Sequence, residues 1–268
     1  MAGGALFGCR VLITRPIEQA RRLAALVAGA GGRQLLLPAV EITPVPESEW
    51  FQPPLLRLDE LYAAVFVSAN AASVAVPVLL RDRPWPPELR VLAIGAATAA
   101  RLADLGVTSV LCPLDRYDSE GLLALPALAD VAQRQIAIVR GRGGRDVLRT
   151  GLLQRGAQVL DVACYERRIA KPSPQQIDAI WRDGIDFCTV TSVEVLSNLF
   201  QIMGPARTAA LCQVLMFAPH ARIAAAARLL GVRQVIETAP GDDGLLAAMI
   251  AHHASTAQSG AAQQVVSG

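Results

Sequence analysis

Short apolar runs alternate along this chain with stretches of helical period. The runs VLITR (11–15), AAVFVS (63–68), VLAIG (91–95), IAIVR (136–140), DFCTVTS (186–192) and VLMFA (214–218) are too short for buried helices and are bounded by turn-forming or hydroxyl residues. They predict buried strands. Helical patterns follow them at 17–28, 69–80 and 96–105, and another begins at Asp146. Pro16 suits the first helical turn, while GAGG (29–32) and Gly106 suit helix ends. Strands alternating with helices predict parallel sheets with crossover helices, an α/β fold. Three proline-bearing connections lie between the periodic segments, at 44–56, 81–89 and 170–176. Residues 254–268 are small and polar and are expected to be a disordered tail.

The pattern also repeats. With 11–42 set over 136–167, Arg15 falls on Arg140, Leu23 on Leu148, Gly31 on Gly156 and Glu41 on Glu166, each 125 positions later. Ser68 falls on Ser192 at an offset of 124, Gly106 on Gly231 at 125, and Gly121 on Gly244 at 123. Matches held at so nearly one spacing along both halves point to two copies of a single α/β unit.

Composition narrows the function. At 268 residues the chain can form one large domain or two ordinary ones. It is 53% hydrophobic, with a mean hydropathy of +0.38. No run approaches the ~20 apolar residues of a spanning helix, and MAGGALFGCR is not a signal peptide. These features lead to the expectation of a soluble cytoplasmic protein with no membrane partner. A formal net charge of +2 without a basic tract predicts no nucleic-acid partner. The five cysteines are scattered without C-x-x-C, and the three histidines form no H-E-x-x-H, so neither a disulfide framework nor a metal site is expected. Of 25 basic residues only Lys171 is lysine. A GC-rich genome explains that bias, and selection of guanidinium forks for carboxylates or phosphates is the functional alternative.

Ligands of open α/β sheets bind beyond the carboxyl ends of the strands. There the first copy offers Thr14-Arg15-Pro16, Ser68-Ala69-Asn70, Gly95–Thr98 and Asp118-Ser119. The second offers Arg140-Gly141-Arg142-Gly143, Thr191-Ser192, Ala218-Pro219-His220 and Gly241-Asp242. Each hydroxyl taken singly reads first as a helix N-cap. As a set they read as a source of N–H, O–H and guanidinium donors for an anion. Nucleotide signatures fit poorly. There is no G-x-x-x-x-G-K-[ST], and Asp146 stands where G-x-G-x-x-G needs its last glycine, although Asp161 lies near the place of the ribose-binding acid.

In order and spacing, VLITRP, VFVSANA, AIGAATAARLADLGV, YDSEGLLAL, VRGRGGRDVLRTGLLQRGAQVLDVACYERR, TVTSVEVL, PHARIAAAARLLGV and GDDGLLAAM resemble the uroporphyrinogen-III synthase family over about 11–252. The resemblance implies two similar flavodoxin-like domains with parallel sheets flanked by helices, joined by a two-stranded β-ladder with a cleft between. One domain would combine 1–33 with 170–253 and the other would be 41–161, with ladder strands at 34–40 and 162–169. It implies a cofactor-free lyase that dehydrates hydroxymethylbilane, inverts its last pyrrole ring and closes it to uroporphyrinogen III. The only partner implied is that small-molecule substrate; nothing in the sequence suggests an interface, so a monomer is expected.

Tyr165 matches the family's ladder tyrosine. It would protonate the departing hydroxyl or hold a water, or it could simply pack one face of the ladder. Ser68, Thr98 and Ser192 match cleft-lining hydroxyl positions of the family, Asn70 is expected to join them from its own strand end, and Arg15, Arg140 and Arg142 would face the substrate's carboxylates. His220 stands where the family often has Ser or Thr, and reads either as a donor or as a helix cap. Two other readings stay open at this point. One is a two-lobed cytoplasmic module that binds a small polyanion without chemistry, and the other is a nucleotide-dependent enzyme.

Overall fold

The computed structural model describes residues 4–144 and 146–256 in full, and the backbone alone of 257–266. The elements run β1 (Arg10–Ile13), α1 (Ile17–Gly29), β2 (Arg33–Leu36), β3 (Val40–Pro44), α2 (Glu47–Trp50), β4 (Ala63–Phe66), α3 (Ala69–Leu79) and β5 (Arg90–Ala93). They continue α4 (Ala96–Asp104), β6 (Val110–Leu111), α5 (Ser119–Leu123), β7 (Gln135–Gly141), α6 (Val147–Gln154) and β8 (Gln158–Ile169). The last part is α7 (Pro174–Asp183), β9 (Phe187–Thr189), α8 (Val193–Leu211), β10 (Leu215–Ala218), α9 (Ala221–Leu229), β11 (Val235–Glu237) and α10 (Gly241–Val266). Residues 254–256, expected in a disordered tail, continue α10. The rest of that tail lies outside the fully described residues. No described helix is long and apolar enough to cross a membrane.

The chain divides into two compact units, Met1–Glu41 with Arg168–Gly268, and Ile42–Arg167. The first holds a five-stranded sheet ordered β11-β10-β9-β1-β2, and the second a six-stranded sheet ordered β3-β8-β7-β4-β5-β6. Apart from β3, the two orders correspond strand for strand under the sequence repeat. In each unit one copy supplies the leading strand-helix-strand and the other copy supplies the remaining three strands. The paired strands β1 with β2, β9 with β1 and β10 with β9 are parallel, as are β7 with β8, β4 with β7 and β5 with β4.

Residues 34–40, which the resemblance places in a connecting ladder, are divided here. Gln34–Leu36 belong to β2 and pair with Val11–Ile13, and the strand that runs beside β8 is β3. The backbone bonds Ala170 N–H to Ala39 O and Val45 N–H to Cys164 O show that β3 and β8 run in opposite senses. Both passages of the chain from one unit to the other occur within these two strands.

Strands covered on both faces read as continuous apolar runs, and β4 shows how the burial divides. Ala64 and Phe66 enter one core with Trp50, Val76 and Leu102. Ala63 and Val65 enter the opposite core with Leu122, Leu148 and Leu152. The proline-bearing connection after β3 is more than a linker, because Trp50, Leu55 and Leu58 lie buried in the first of these cores. In the first unit Val11 and Ile13 of β1 pack with Leu23, Val27, Phe217 and Met249.

Candidate functional site

In the second unit, Ser68 ends the β4 turn with extended backbone, and its Oγ accepts the Ala71 N–H at 3.1 Å as the N-cap of α3. The capping reading is therefore correct for Ser68, but the same oxygen also lies 3.0 Å from the hydroxyl of Tyr165. Tyr165 reaches that place through a fault in the β7–β8 ladder. Arg140 pairs with Ala163 while Gly141 pairs with Tyr165, so Cys164 is an extra residue on β8. Such a bulge breaks the two-residue alternation, and as a result the consecutive Cys164 and Tyr165 face the same core. The Tyr165 ring then lies against Gly141, where an added methyl would sit 2.7 Å from Cζ. The ring is 5% exposed, and the Arg142 N–H donates to the Tyr165 carbonyl at 2.7 Å.

Tyr165 forms part of the wall of a pocket of about 290 Å³ at the carboxyl end of β7. Arg140, Arg142, Arg149, Arg167, Ser119 and the glycines at 141, 143 and 144 also line it. Of the sequence-predicted set, Tyr165, Arg140 and Arg142 meet at this pocket, and Ser68 joins it through Tyr165. Asn70 sits half-buried in the first turn of α3 with contacts of its own. Thr98 is buried in the first turn of α4. Neither of them lines the pocket.

The arginines of the opening motif are already engaged. Arg140 donates from Nε and Nη2 to the two carboxylate oxygens of Asp161 at 2.7 and 2.6 Å, and from Nη1 to Asp146 at 3.0 Å. The hydrogen bond to Asp161 is the largest influence raising the Arg140 pKa above its usual value. Asp161, a candidate ribose acid in the nucleotide reading, is thus committed to fastening β8 to β7. Asp146 stands at the N-cap of α6, but its side chain does not cap the helix. Arg142 is paired with Glu49.

In the first unit, Arg15 forms an ion pair with Asp242 at 2.5 Å, with the two side chains 14% and 11% exposed. Its Nε is buried without a hydrogen-bond partner. Thr14 donates to the Thr189 carbonyl at 2.6 Å and so links two neighbouring strands. Ser192 caps α8 by accepting the Val195 N–H at 3.1 Å. His220 occupies the N-cap position of α9, but its exposed side chain makes no capping bond, which removes the cap reading for it. Burial pushes the thiols of Cys164 and Cys188 up to about 12, so neither is poised as a nucleophile. No cluster of three metal-ligating side chains occurs among the described residues.

Sequence reasoning offered Ser119 among the strand-end residues but missed Arg149 and Arg167 as pocket residues, and Asp161, Asp146, Glu49 and Asp242 as partners of the expected anion-binding arginines. Only Asp146, six positions after its partner Arg140, was close enough in sequence to suggest a pairing.

Comparison with known proteins gives one consistent result. A family model described as uroporphyrinogen-III synthase HemD matches residues 21–247. The uroporphyrinogen-III synthase of Salmonella typhimurium is 33% identical over 194 residues, covering 72% of this chain and 79% of that protein. The Escherichia coli protein of the same name is 30% identical over 195 residues, with the same shares covered. Among solved structures, uroporphyrinogen-III synthetase from Helicobacter pylori superposes with a TM-score of 0.61 at 14% identity, covering 91% of this chain and 99% of that one. A uroporphyrinogen III synthase mutant from Thermus thermophilus gives 0.53 at 20% identity, covering 94% and 100%. These two likenesses support the fold alone.

Proposed function

Because the chain belongs to the uroporphyrinogen-III synthase family, we propose that it converts hydroxymethylbilane to uroporphyrinogen III without a cofactor. The observation that carries the residue assignment is the Ser68–Tyr165 hydroxyl pair at the wall of an arginine-lined pocket. The substrate has acetate and propionate arms on every ring. Its terminal pyrrolylmethanol loses hydroxide with modest acid help, because the resulting azafulvenium cation is stabilised by the electron-rich pyrrole. Tyr165 supplies that help by donating its phenolic proton as the C–O bond breaks, so that the hydroxyl leaves as water. The proton lost when the inverted ring regains aromaticity returns to the phenolate. Ser68, held by the Ala71 N–H, fixes the direction of the phenol.

The harder task is to make ring inversion faster than simple head-to-tail closure. That is a problem of positioning, which distributed donors can solve without a reactive nucleophile. Asn70 and Thr98 of the second unit and Arg15, Ser192 and His220 of the first are the other proposed substrate contacts, and Arg140 and Arg142 meet the substrate as pocket wall, with their charges already paired. The proposal includes a cytoplasmic monomer with no nucleic-acid or membrane partner. Nothing on these surfaces favours a binding module without chemistry.

The test supplies freshly made hydroxymethylbilane and follows the ratio of type III to type I uroporphyrinogen. An excess of type III above the spontaneous reaction is expected, and type I alone at the spontaneous rate would sink the reading. Tyr165→Phe is expected to lower kcat by about 10²-fold, the low end for a general acid, with an unchanged melting curve. Turnover equal to the parent would remove Tyr165 from the chemistry.

A further inference from the structure

Among the described residues four arginines wall the pocket of the second unit, but their charges are not equally available. Arg140 is saturated by Asp161 and Asp146, and Arg142 is paired with Glu49. Arg167 has a contact of its own. For Arg140 to bind a substrate carboxylate it would have to release an aspartate, leaving a partly buried charge uncompensated, which is costly. Arg149 differs. It lies on the exposed side of α6 and still lines the pocket, and no acidic group pairs with it among the described residues. Its place is fixed by its neighbours on the helix. Leu148 and Leu152 bury the adjoining side of α6, and Gly151 leaves only enough room for Leu123.

We propose that Arg149 binds a carboxylate arm of the substrate in this pocket. Arg140 and Arg142 shape its walls while their charges stay neutralised by neighbouring acids. A volume of about 290 Å³ lies at the lower limit of small-molecule pockets. It suits one acetate or propionate arm and part of its ring, so the pocket acts as a subsite that orients one end of the chain. The proposal rests on the reading of the reaction given above, and its test can separate the two.

The probe is uroporphyrin III, the stable oxidised form of the expected product, which carries the same carboxylate arms. Its binding to the full chain is followed by fluorescence, independently of turnover. Arg149→Gln is expected to weaken binding about tenfold, the scale of one charge-assisted hydrogen bond, and to reduce its dependence on salt. Arg149→Lys should recover part of the loss, because it restores charge but not the fork. With hydroxymethylbilane, KM should rise by the same factor while kcat stays within about twofold. Equal affinities of Arg149→Gln and the parent, or no binding by either, overturn the role of Arg149. A parent that binds uroporphyrin through Arg149 but forms no type III product would overturn the reaction and leave the subsite standing.

Discussion

A methyl group at position 141 would lie 2.7 Å from Cζ of Tyr165, closer than a carbon can approach a ring, so the ring or the strand must move. Gly141→Ala is therefore expected to cost about 1–3 kcal/mol, as overpacking does. It should also separate the Tyr165 hydroxyl from Ser68, so turnover should fall by more than the stability loss explains. Urea unfolding together with steady-state turnover checks both effects. In the sequence Gly141 reads as part of an anion-holding loop. Its role as the space that admits Tyr165 depends on a bulge between residues far apart in the chain, and composition carries no trace of that. The arginines show the same limit. Their presence at the strand ends was legible, but whether each is free to bind a ligand depends on acids brought near by folding, such as Asp161 for Arg140 and Asp242 for Arg15.

Elements were more legible than sites where periodicity was strong. The helices expected at 17–28, 69–80 and 96–105 appear as α1, α3 and α4 with ends shifted by at most one residue. The segment after β3 was not legible, because Trp50, Leu55 and Leu58 follow neither helical nor strand spacing although they are buried. Helix α8 also hides a kink, since Gly204 has φ 66° and ψ 175° immediately before Pro205. At the amino end of the first sheet, Arg10 of β1 holds Asp186, just before β9, with bonds of 2.7 and 2.8 Å. Chiefly through the Arg10 hydrogen bond, the Asp186 carboxyl is kept below the usual aspartate value. A depressed folded pKa adds stability above the unfolded value of about 4. That stability is lost as pH falls through the lower folded value. Urea midpoints of the parent and Asp186→Asn should therefore differ more at pH 7 than at pH 3, and a constant difference would show that the pair contributes nothing through ionisation.

For the whole molecule, the repeat announced two similar units, but periodicity could not reveal that the leading strand-helix-strand is exchanged between them. Fragment behaviour follows from that exchange. The second unit is one continuous segment with its own two-sided core, so a fragment of residues 40–169 is expected to fold and to unfold cooperatively in urea. A fragment of residues 1–41 keeps β2 beside β1 but lacks β9 on its other side and the rest of that sheet, so it should show no such transition. Far-ultraviolet circular dichroism of the two peptides decides this.

The first unit also begins at one end of the chain and finishes at the other. Val11 of β1 pairs with Phe187 of β9, 176 positions later. At about 5–20 residues per second of synthesis, β1 leaves the ribosome roughly ten to thirty seconds before its neighbour exists. During that interval the whole second unit emerges and can close. The apolar side chains of Val11 and Ile13 meanwhile have α1 beside them but lack Phe187, Phe217 and Met249. In birth order, the unit that starts first is the last to fold, and the N-terminal strand is the segment a chaperone would have most reason to hold.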